Sequence, residues 1–443
     1  MLEKLQKLKN HQGFRRYFSN TSWLFGEKIL RMFVGLFVGV WVARYLGPEQ
    51  FGLLSYLFAF TALFGFLVRL GFDGGLVVKE LKAQSDNGKV MATTFFLKFL
   101  GAILAVLSIS IVIRFVESDP FTIVLMSLIG LTYFFRAFSV FDLYFQSLVL
   151  SKYTVIANAI ALFSIAGVKV ILILLKAPLI AFVYGALAES AIAAFIYLYF
   201  YMRLSRSGGK WKVDLTYAKE LLARSWPIMI SAFLISIYMQ IDMIMIKNIL
   251  GDSAAGYYAA ATKISSLFYF IPVAISSSFF PAILNAKKRS QKLYYDRIGY
   301  LFDFSVLLML PAALIITLFA EDIIVLLYGD KYLPAIAVVF IHIWAAVFVF
   351  FNNIQWKWYI TEGLQKIALI RISIATVINI VLNFLLIPHY GISGAAISTL
   401  VSFAFAGYFG NAFFGKTVKL FVLQTSSLLI VPALVKLVRV LNK

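Results

Sequence analysis

Twelve predominantly apolar runs follow one another along the 443-residue chain, near 19–45, 51–72, 90–114, 121–144, 153–175, 179–202, 225–249, 256–284, 298–319, 334–359, 367–387 and 392–414. Each reaches the roughly 20 residues that an α-helix needs to cross the hydrocarbon of a bilayer. What remains could not cover a water-facing surface. Apolar residues make up 62% of the chain and charged residues 14%, with a mean hydropathy of +0.91, against about half and a quarter in a soluble domain. The sequence therefore predicts an all-α, polytopic membrane protein with short connectors and no large soluble domain. The basic segment from Met1 to Tyr17 lacks the short apolar core and small-residue cleavage site of a removable signal peptide. Span 1 is expected to act as its own insertion signal.

A net charge of +20 would suggest nucleic acid in a soluble protein, but here the connectors account for it and no nucleic-acid partner is expected. Twenty-six Lys and Arg residues fall on one side of the alternating connectors, including Lys79, Lys82, Lys89, Lys152, Arg203, Arg224, Lys287, Lys288 and Arg289; only Lys176 and Lys331 fall on the other. The positive-inside rule places the basic side, and with it both termini, in the cytoplasm, which makes this a multi-pass protein of the cell membrane. Cysteine is absent, so disulfides, thiolate metal sites and cysteine nucleophiles are excluded.

The longest basic connector divides the runs into six and six. It predicts a six-helix bundle over 1–203, a cytoplasmic linker over 204–224, a second bundle over 225–414 and an interfacial tail over 415–443. Within the linker, Arg206-Ser-Gly-Gly-Lys210 is a flexible break, and Asp214 is placed to cap a short amphipathic helix through Leu221 and Leu222. In the tail, Lys436 and Arg439 share a helical face opposite Leu434 and Leu441, as in a helix lying in the interface. A thirteenth span, which would move the C-terminus outside, is the alternative. The halves echo each other: Leu46-Gly47-x4-Gly52 matches Leu250-Gly251-x4-Gly256 at an offset of 204, and Gly185-Ala186 matches Gly394-Ala395 at 209. Because six is even, the repeats share one orientation, as parallel transporter repeats do, and a cleft between the bundles is the expected binding place.

Trp41-Val-Ala-Arg-Tyr-Leu-Gly-Pro-Glu-Gln-Phe-Gly-Leu-Leu-Ser-Tyr56 resembles the first-hairpin signature of prokaryotic polysaccharide-biosynthesis membrane proteins, the oligosaccharide-lipid flippases. Asp242, Leu250-Gly-Asp-Ser-Ala-Ala-Gly-Tyr-Tyr258 and Lys263 resemble the matching hairpin of the second half, and Ile387-Pro-His-Tyr-Gly-Ile-Ser-Gly-Ala-Ala396 is similar to the turn before span 12. The resemblance covers essentially the whole chain. It implies the multidrug/oligosaccharidyl-lipid/polysaccharide exporter fold, a MATE-like V of two bundles with alternating access. The cargo it implies is a lipid-linked oligosaccharide on polyprenyl pyrophosphate, flipped from the cytoplasmic to the outer leaflet for surface polysaccharide assembly, with polysaccharide-assembly proteins as partners.

Charges at mid-span cost about 2.5–3.5 kcal/mol each on insertion scales, so they are expected to face water, a partner or a ligand. Arg44, Arg69, Lys98, Arg114, Lys247, Lys357 and Arg371 lie near enough to span ends to snorkel. Arg31, Arg136, Lys169 and Lys263 lie deeper, and Lys28 shares a helical face with Arg31 near the entrance. These five are the candidate headgroup-binding residues, since guanidinium and ammonium groups suit phosphate. The deep carboxylates Asp242 and Glu189 are candidates for Na+ or H+ coupling; Asp242 could instead pair with Lys263 on the next span. No other cofactor is expected. Pro272, Pro281 and Pro311 fall within spans of the second half, where they kink helices.

Catalytic alternatives find little support. Gly410-Asn-Ala-Phe-Phe-Gly-Lys-Thr417 matches the P-loop letter for letter, yet it sits at the end of a span without the preceding strand that a phosphate cradle needs. His11, His342 and His389 are scattered without metal-ligand spacing, and the longest outer connector, Ala320 to Leu333, is too short for an enzyme acting on lipid-linked sugars. A multidrug exporter of the same fold should have an acidic or aromatic cavity, whereas the deep charge here is net positive.

Overall fold

A computed structural model describes residues 12–72, 75–83, 87–205 and 211–429. Among the described residues all regular structure is helical, as the apolar runs predict. In chain order the helices are α1 (Gln12–Ala62), α2 (Gly65–Arg69), α3 (Leu76–Ala83), α4 (Asn87–Val116), α5 (Pro120–Gly130) and α6 (Thr132–Arg136). There follow α7 (Val140–Ser147), α8 (Lys152–Leu174), α9 (Leu179–Leu204), α10 (Leu215–Leu250), α11 (Asp252–Leu267) and α12 (Phe270–Arg289). The last are α13 (Gln291–Leu318), α14 (Ala320–Tyr328), α15 (Ala335–His342), α16 (Ala345–Thr361), α17 (Gln365–Gly407) and α18 (Val418–Leu428).

Nine helical stretches among the described residues are long and apolar enough to cross a bilayer, and the bent pair α15–α16 makes a tenth. Two are too long for one crossing. Ser22–Ala62 has 41 residues and Gln365–Asn411 has 47, about 60 and 70 Å of helix at ~1.5 Å per residue against a hydrocarbon core of about 30 Å. Each breaks at a glycine in a left-handed conformation, Gly47 (φ 71°) and Gly391 (φ 59°). Spans 1 and 2, and spans 11 and 12, are thus paired runs meeting at sharp corners.

The chain forms two compact units. Met1–Tyr45 with Leu57–Ser236 make the first, and Leu46–Tyr56 with Ile237–Lys443 the second. The first unit is built on α8 and α9 packed along each other and on α4 against α2, α5 and α6. Asp119 starts α5 by accepting hydrogen bonds from the Phe121 and Thr122 amides, with Pro120 at the first helical position. The second unit is built on α16 against α17, α12 against α13, and α11 against α15.

The divide differs from the expected linker. Asp214 does cap a helix, accepting from the Tyr217 amide at 2.9 Å, but that helix is α10, which runs without interruption into span 7 and leaves the first unit only at Ser236. The expected tail is described only in its first part. Its first turns form α18, which packs against α13 and buries Leu420, Gln424 and Ser427; Ser427 Oγ donates to Asp303 Oδ1 at 2.6 Å. Residues 430–443, with Lys436 and Arg439, lie outside the described residues, as do Arg206-Ser-Gly-Gly-Lys210 and the segment before Gln12.

The repeat read from the letters has a backbone counterpart. Gly251 (φ 89°, ψ −179°) repeats the conformation of Gly47 (φ 71°, ψ 174°), one that a residue with a Cβ adopts only under strain. Five residues on, a Cβ on Gly52 would land on the carbonyl of Asp252, and a Cβ on Gly256 would land on the carbonyl of Pro48. Both contacts lie within the second unit. Positions 48 and 252 are themselves related by the offset of 204, so the two hairpins cross with local two-fold reciprocity.

Candidate functional site

A polar cavity of about 690 Å3 opens among the described residues, and every residue lining it belongs to the first unit. Its walls come from α1, α2, α4, α6, α7, α8 and α9. Five cations line it, Arg31, Arg69, Lys98, Arg136 and Lys169, against two carboxylates, Asp142 and Glu189. In lipid such groups are sustained only by water, partners or a ligand.

The cations are held differently. Arg31 meets two carboxylates, Glu27 one turn earlier on α1 at 3.2 Å and Glu189 on α9 at 3.6 Å. Glu27 is fixed in turn by the Asn158 amide at 3.2 Å, and Asn158 by the Tyr197 hydroxyl at 2.7 Å. Lys98 is buried and donates to Ser139 Oγ at 3.0 Å. Arg136 lies over the Tyr133 ring, 5.2 Å from its centroid, and Tyr133 is itself anchored by its hydroxyl to the Thr61 carbonyl. Asp142 is held by Gln146 at 2.9 Å and Thr154 at 2.6 Å. Neither Arg136 nor Lys169 has an ion pair among the described residues.

Of the five candidate residues, Arg31, Arg136 and Lys169 are brought together here. Lys28 and Lys263 do not line the cavity. Lys28 is exposed, about 60° around α1 from Arg31 at three residues' separation, and Lys263 belongs to α11 of the second unit. Arg31, Arg136 and Lys169 thus converge inside one unit, while Lys28 and Lys263 lie apart from this cavity.

Sequence reasoning missed Arg69 and Lys98, which distance from a span end had assigned to snorkelling; both line the cavity. Lys98 carries a signal that could have found it, since it lies eleven residues into α4, about 16 Å from the helix start at ~1.5 Å per residue. Glu27 and Asp142 were also missed. Glu27 precedes Arg31 by four residues, the spacing of helical ion pairs.

The second unit holds its charges in another way. Asp242 on α10 is buried and accepts hydrogen bonds from Tyr258 (2.9 Å), Thr399 (2.5 Å) and Asn383 (2.5 Å). These three partners are neutral hydroxyl and amide donors. Asn379 accepts from Asn383 on the same side of α17. Among the described residues no cluster of three or more His, Cys, Asp or Glu side chains could hold a metal ion. Arg371, expected to snorkel, is fully buried. It donates to Asn411 Oδ1 at 2.7 Å and Asn352 Oδ1 at 3.3 Å and stacks over Tyr359. Asn411 donates onward to Gln355 and Gln424, tying α17 to α16 and α18. The P-loop look-alike is part of this knot: Gly410 and Asn411 sit in a 3-10 turn directly after a helix, and Gly410 packs on the Arg371 stem.

With this architecture in hand, comparison with known proteins is decisive at the level of family. The profile of the family described as "Polysaccharide biosynthesis protein" matches residues 18–287, more than half of the chain. The chain belongs to that family. The profile called MatE matches residues 227–385, about a third of the chain. The "Probable low-salt glycan biosynthesis flippase Agl15" of Haloferax volcanii is 27% identical over 168 residues, 38% of this chain and 36% of that protein. The "Probable flippase AglR" of the same organism is 31% identical over 176 residues, 37% of this chain and 35% of that protein. The chain thus matches these curated relatives over about a third of their length. Among solved structures, "Lipid II flippase MurJ, inward closed conformation" superposes with a TM-score of 0.72 at 17% identity, covering 94% of this chain and 92% of that one. The fold is shared and the protein is a multi-pass membrane protein.

Proposed function

We propose that this polysaccharide biosynthesis protein is a flippase for a lipid-linked glycan, with the phosphate part of the headgroup held in the cavity of the first unit by Arg136, Lys169, Arg69 and Arg31. The observation that carries the reading is the charge of that cavity, five cations against two carboxylates, at a depth where unmatched charge is costly. Guanidinium groups offer paired N–H donors to phosphate oxygens. The names of the Haloferax relatives support the same class of cargo. The charge asymmetry of the connectors supports cytoplasmic termini and loading from the cytoplasmic leaflet. The finer reading is a polyprenyl-pyrophosphate carrier, an alternating-access cycle as the family resemblance implies, and a role in surface polysaccharide assembly alongside its assembly proteins.

A multidrug exporter remains the competing reading, and the same cavity argues against it, because a cationic drug would meet net positive charge. For ion coupling, Asp242 is better placed than Glu189, which is engaged by Arg31. A buried carboxylate surrounded by the oxygens of Thr399 and Tyr258 suits a proton or a small monovalent cation. Collapse of the sodium and proton gradients should abolish transport by the wild type; transport that persists would reject coupling.

The decisive experiment replaces Arg136 and Lys169 by Gln, singly and together, in a host that depends on this gene for glycan export. Export should fall about tenfold or more with the amount of protein in the membrane unchanged. Normal export by the double variant would overturn the reading.

A further inference from the structure

The guanidinium of Arg31 is already occupied. Its Nε and Nη2 both lie 3.2 Å from Glu27 Oε1, and its Nη1 lies 3.6 Å from Glu189 Oε1, so all three nitrogens face a carboxylate. Glu27 is not free to swing aside, because Asn158 holds the same oxygen and Tyr197 holds Asn158; its side chain is 12% exposed, against 45% for Arg31. Arg136 and Lys169, on the same cavity wall, have no such counter-ions among the described residues. One cavity therefore contains open cations and one clamped cation.

We infer that Glu27 and Glu189 act as built-in competitors for Arg31 and thereby set a charge threshold on the headgroup. This rests on the cavity reading above. A phosphodiester carries one negative charge. Exchanging it for a carboxylate on Arg31 gains no net attraction and leaves the displaced carboxylates facing a new anion, so it is confined to Arg136 and Lys169. A pyrophosphate carries a second charged group. One phosphate stays with the open cations while the other competes for Arg31 with bidentate geometry. Glu27 and Glu189 are positioning residues: they determine which headgroups engage Arg31, and the specificity arises from penalising the wrong ligand as much as from attracting the right one.

The test uses the purified full-length chain in nanodiscs of zwitterionic lipid and two probes with one tail, farnesyl pyrophosphate and the phosphodiester methyl farnesyl phosphate, titrated calorimetrically. The wild type should prefer the pyrophosphate by about tenfold or more, and Arg31→Gln should weaken the pyrophosphate only. Glu27→Gln, which keeps an oxygen for Asn158, and separately Glu189→Gln should each tighten the phosphodiester, and the double variant should bring the two probes within about threefold of each other. In the Glu→Gln background, phosphodiester binding should become sensitive to Arg31→Gln. Melting temperatures check that the variants are folded, and Glu189→Gln carries the test alone if Glu27→Gln is not. An unchanged preference in the double variant, with Arg136→Gln still weakening the pyrophosphate, overturns the threshold and leaves the cavity reading standing. If neither Arg136→Gln nor Lys169→Gln weakens either probe, the cavity reading fails and the threshold with it.

Discussion

Arg136 in the first unit and Arg371 in the second are both guanidinium groups set among apolar helices, yet their surroundings are opposites. Arg136 is exposed to a cavity of about 690 Å3 and lies over the Tyr133 ring. Arg371 is fully buried, and Asn411, Asn352 and the Tyr359 ring close around it. Asp242 repeats the second pattern with neutral hydroxyl and amide donors. Depth in the membrane alone thus does not mark a functional charge. What separates the two is whether the guanidinium is enclosed by the protein, with both its terminal nitrogens bonded as in Arg371, or faces open space: the second unit uses its deep polar groups to join helices, and the first keeps some of them available.

Substitutions can break that contrast. The largest effect is expected from Arg371→Ala, which removes the hydrogen bonds to Asn411 and Asn352 and empties a fully buried site, and should cost about 3 kcal/mol or more; the measurement is the yield of monodisperse protein and its melting temperature in detergent. If Arg371→Ala folds normally, the network is not structural and the contrast collapses. Arg136→Gln should do the reverse, cutting export about tenfold while leaving the melting temperature near that of the wild type. Gly52→Ala and Gly256→Ala should each cost about 1–3 kcal/mol through overpacking, and by reciprocity the two losses should be similar; a large inequality in their melting temperatures would show that the hairpins are not equivalent.

The smallest effect concerns Asp214, outside the spans. The Lys89 ammonium hydrogen-bonded to it, followed by the Tyr217 amide, holds its carboxyl below the usual carboxylate range. A depressed folded-state value gives a contribution that is complete above the unfolded value of about 4 and fades as pH falls through the lower folded one. The wild type should therefore melt slightly above Asp214→Asn by a constant margin over neutral pH, and the margin should close in acid. A margin that grows in acid would reverse the sign.

Much of the fold was legible because lipid imposes a simple rule on letters: a run of about twenty apolar residues is a crossing. Gly47 and Gly251 were legible too, since their matching offset is a matching backbone break. The site was only partly so. Position along a span gives depth but not which neighbours fold against a residue, and those neighbours decided that Arg136 and Lys169 line the cavity while Lys28 does not. It also hid Arg371, whose place near a span end resembles that of a snorkelling residue until the amides of Asn411 and Asn352, one of them forty residues on, are folded against it. Gln424 shows the same limit: its amide is spent on Asn411 and the Gly407 carbonyl, contacts that the order of residues does not reveal.

The crossing of the two hairpins has a consequence for how such a chain can change over generations. Each glycine is small because the other copy's backbone lies on it, so the duplicated segments are each other's mould. One copy cannot acquire a side chain at that point while the other keeps its path, and no second substitution at the partner glycine makes room, because the obstacle is main chain. The two positions are held to the same minimal residue together, however far the rest of the repeats drift apart.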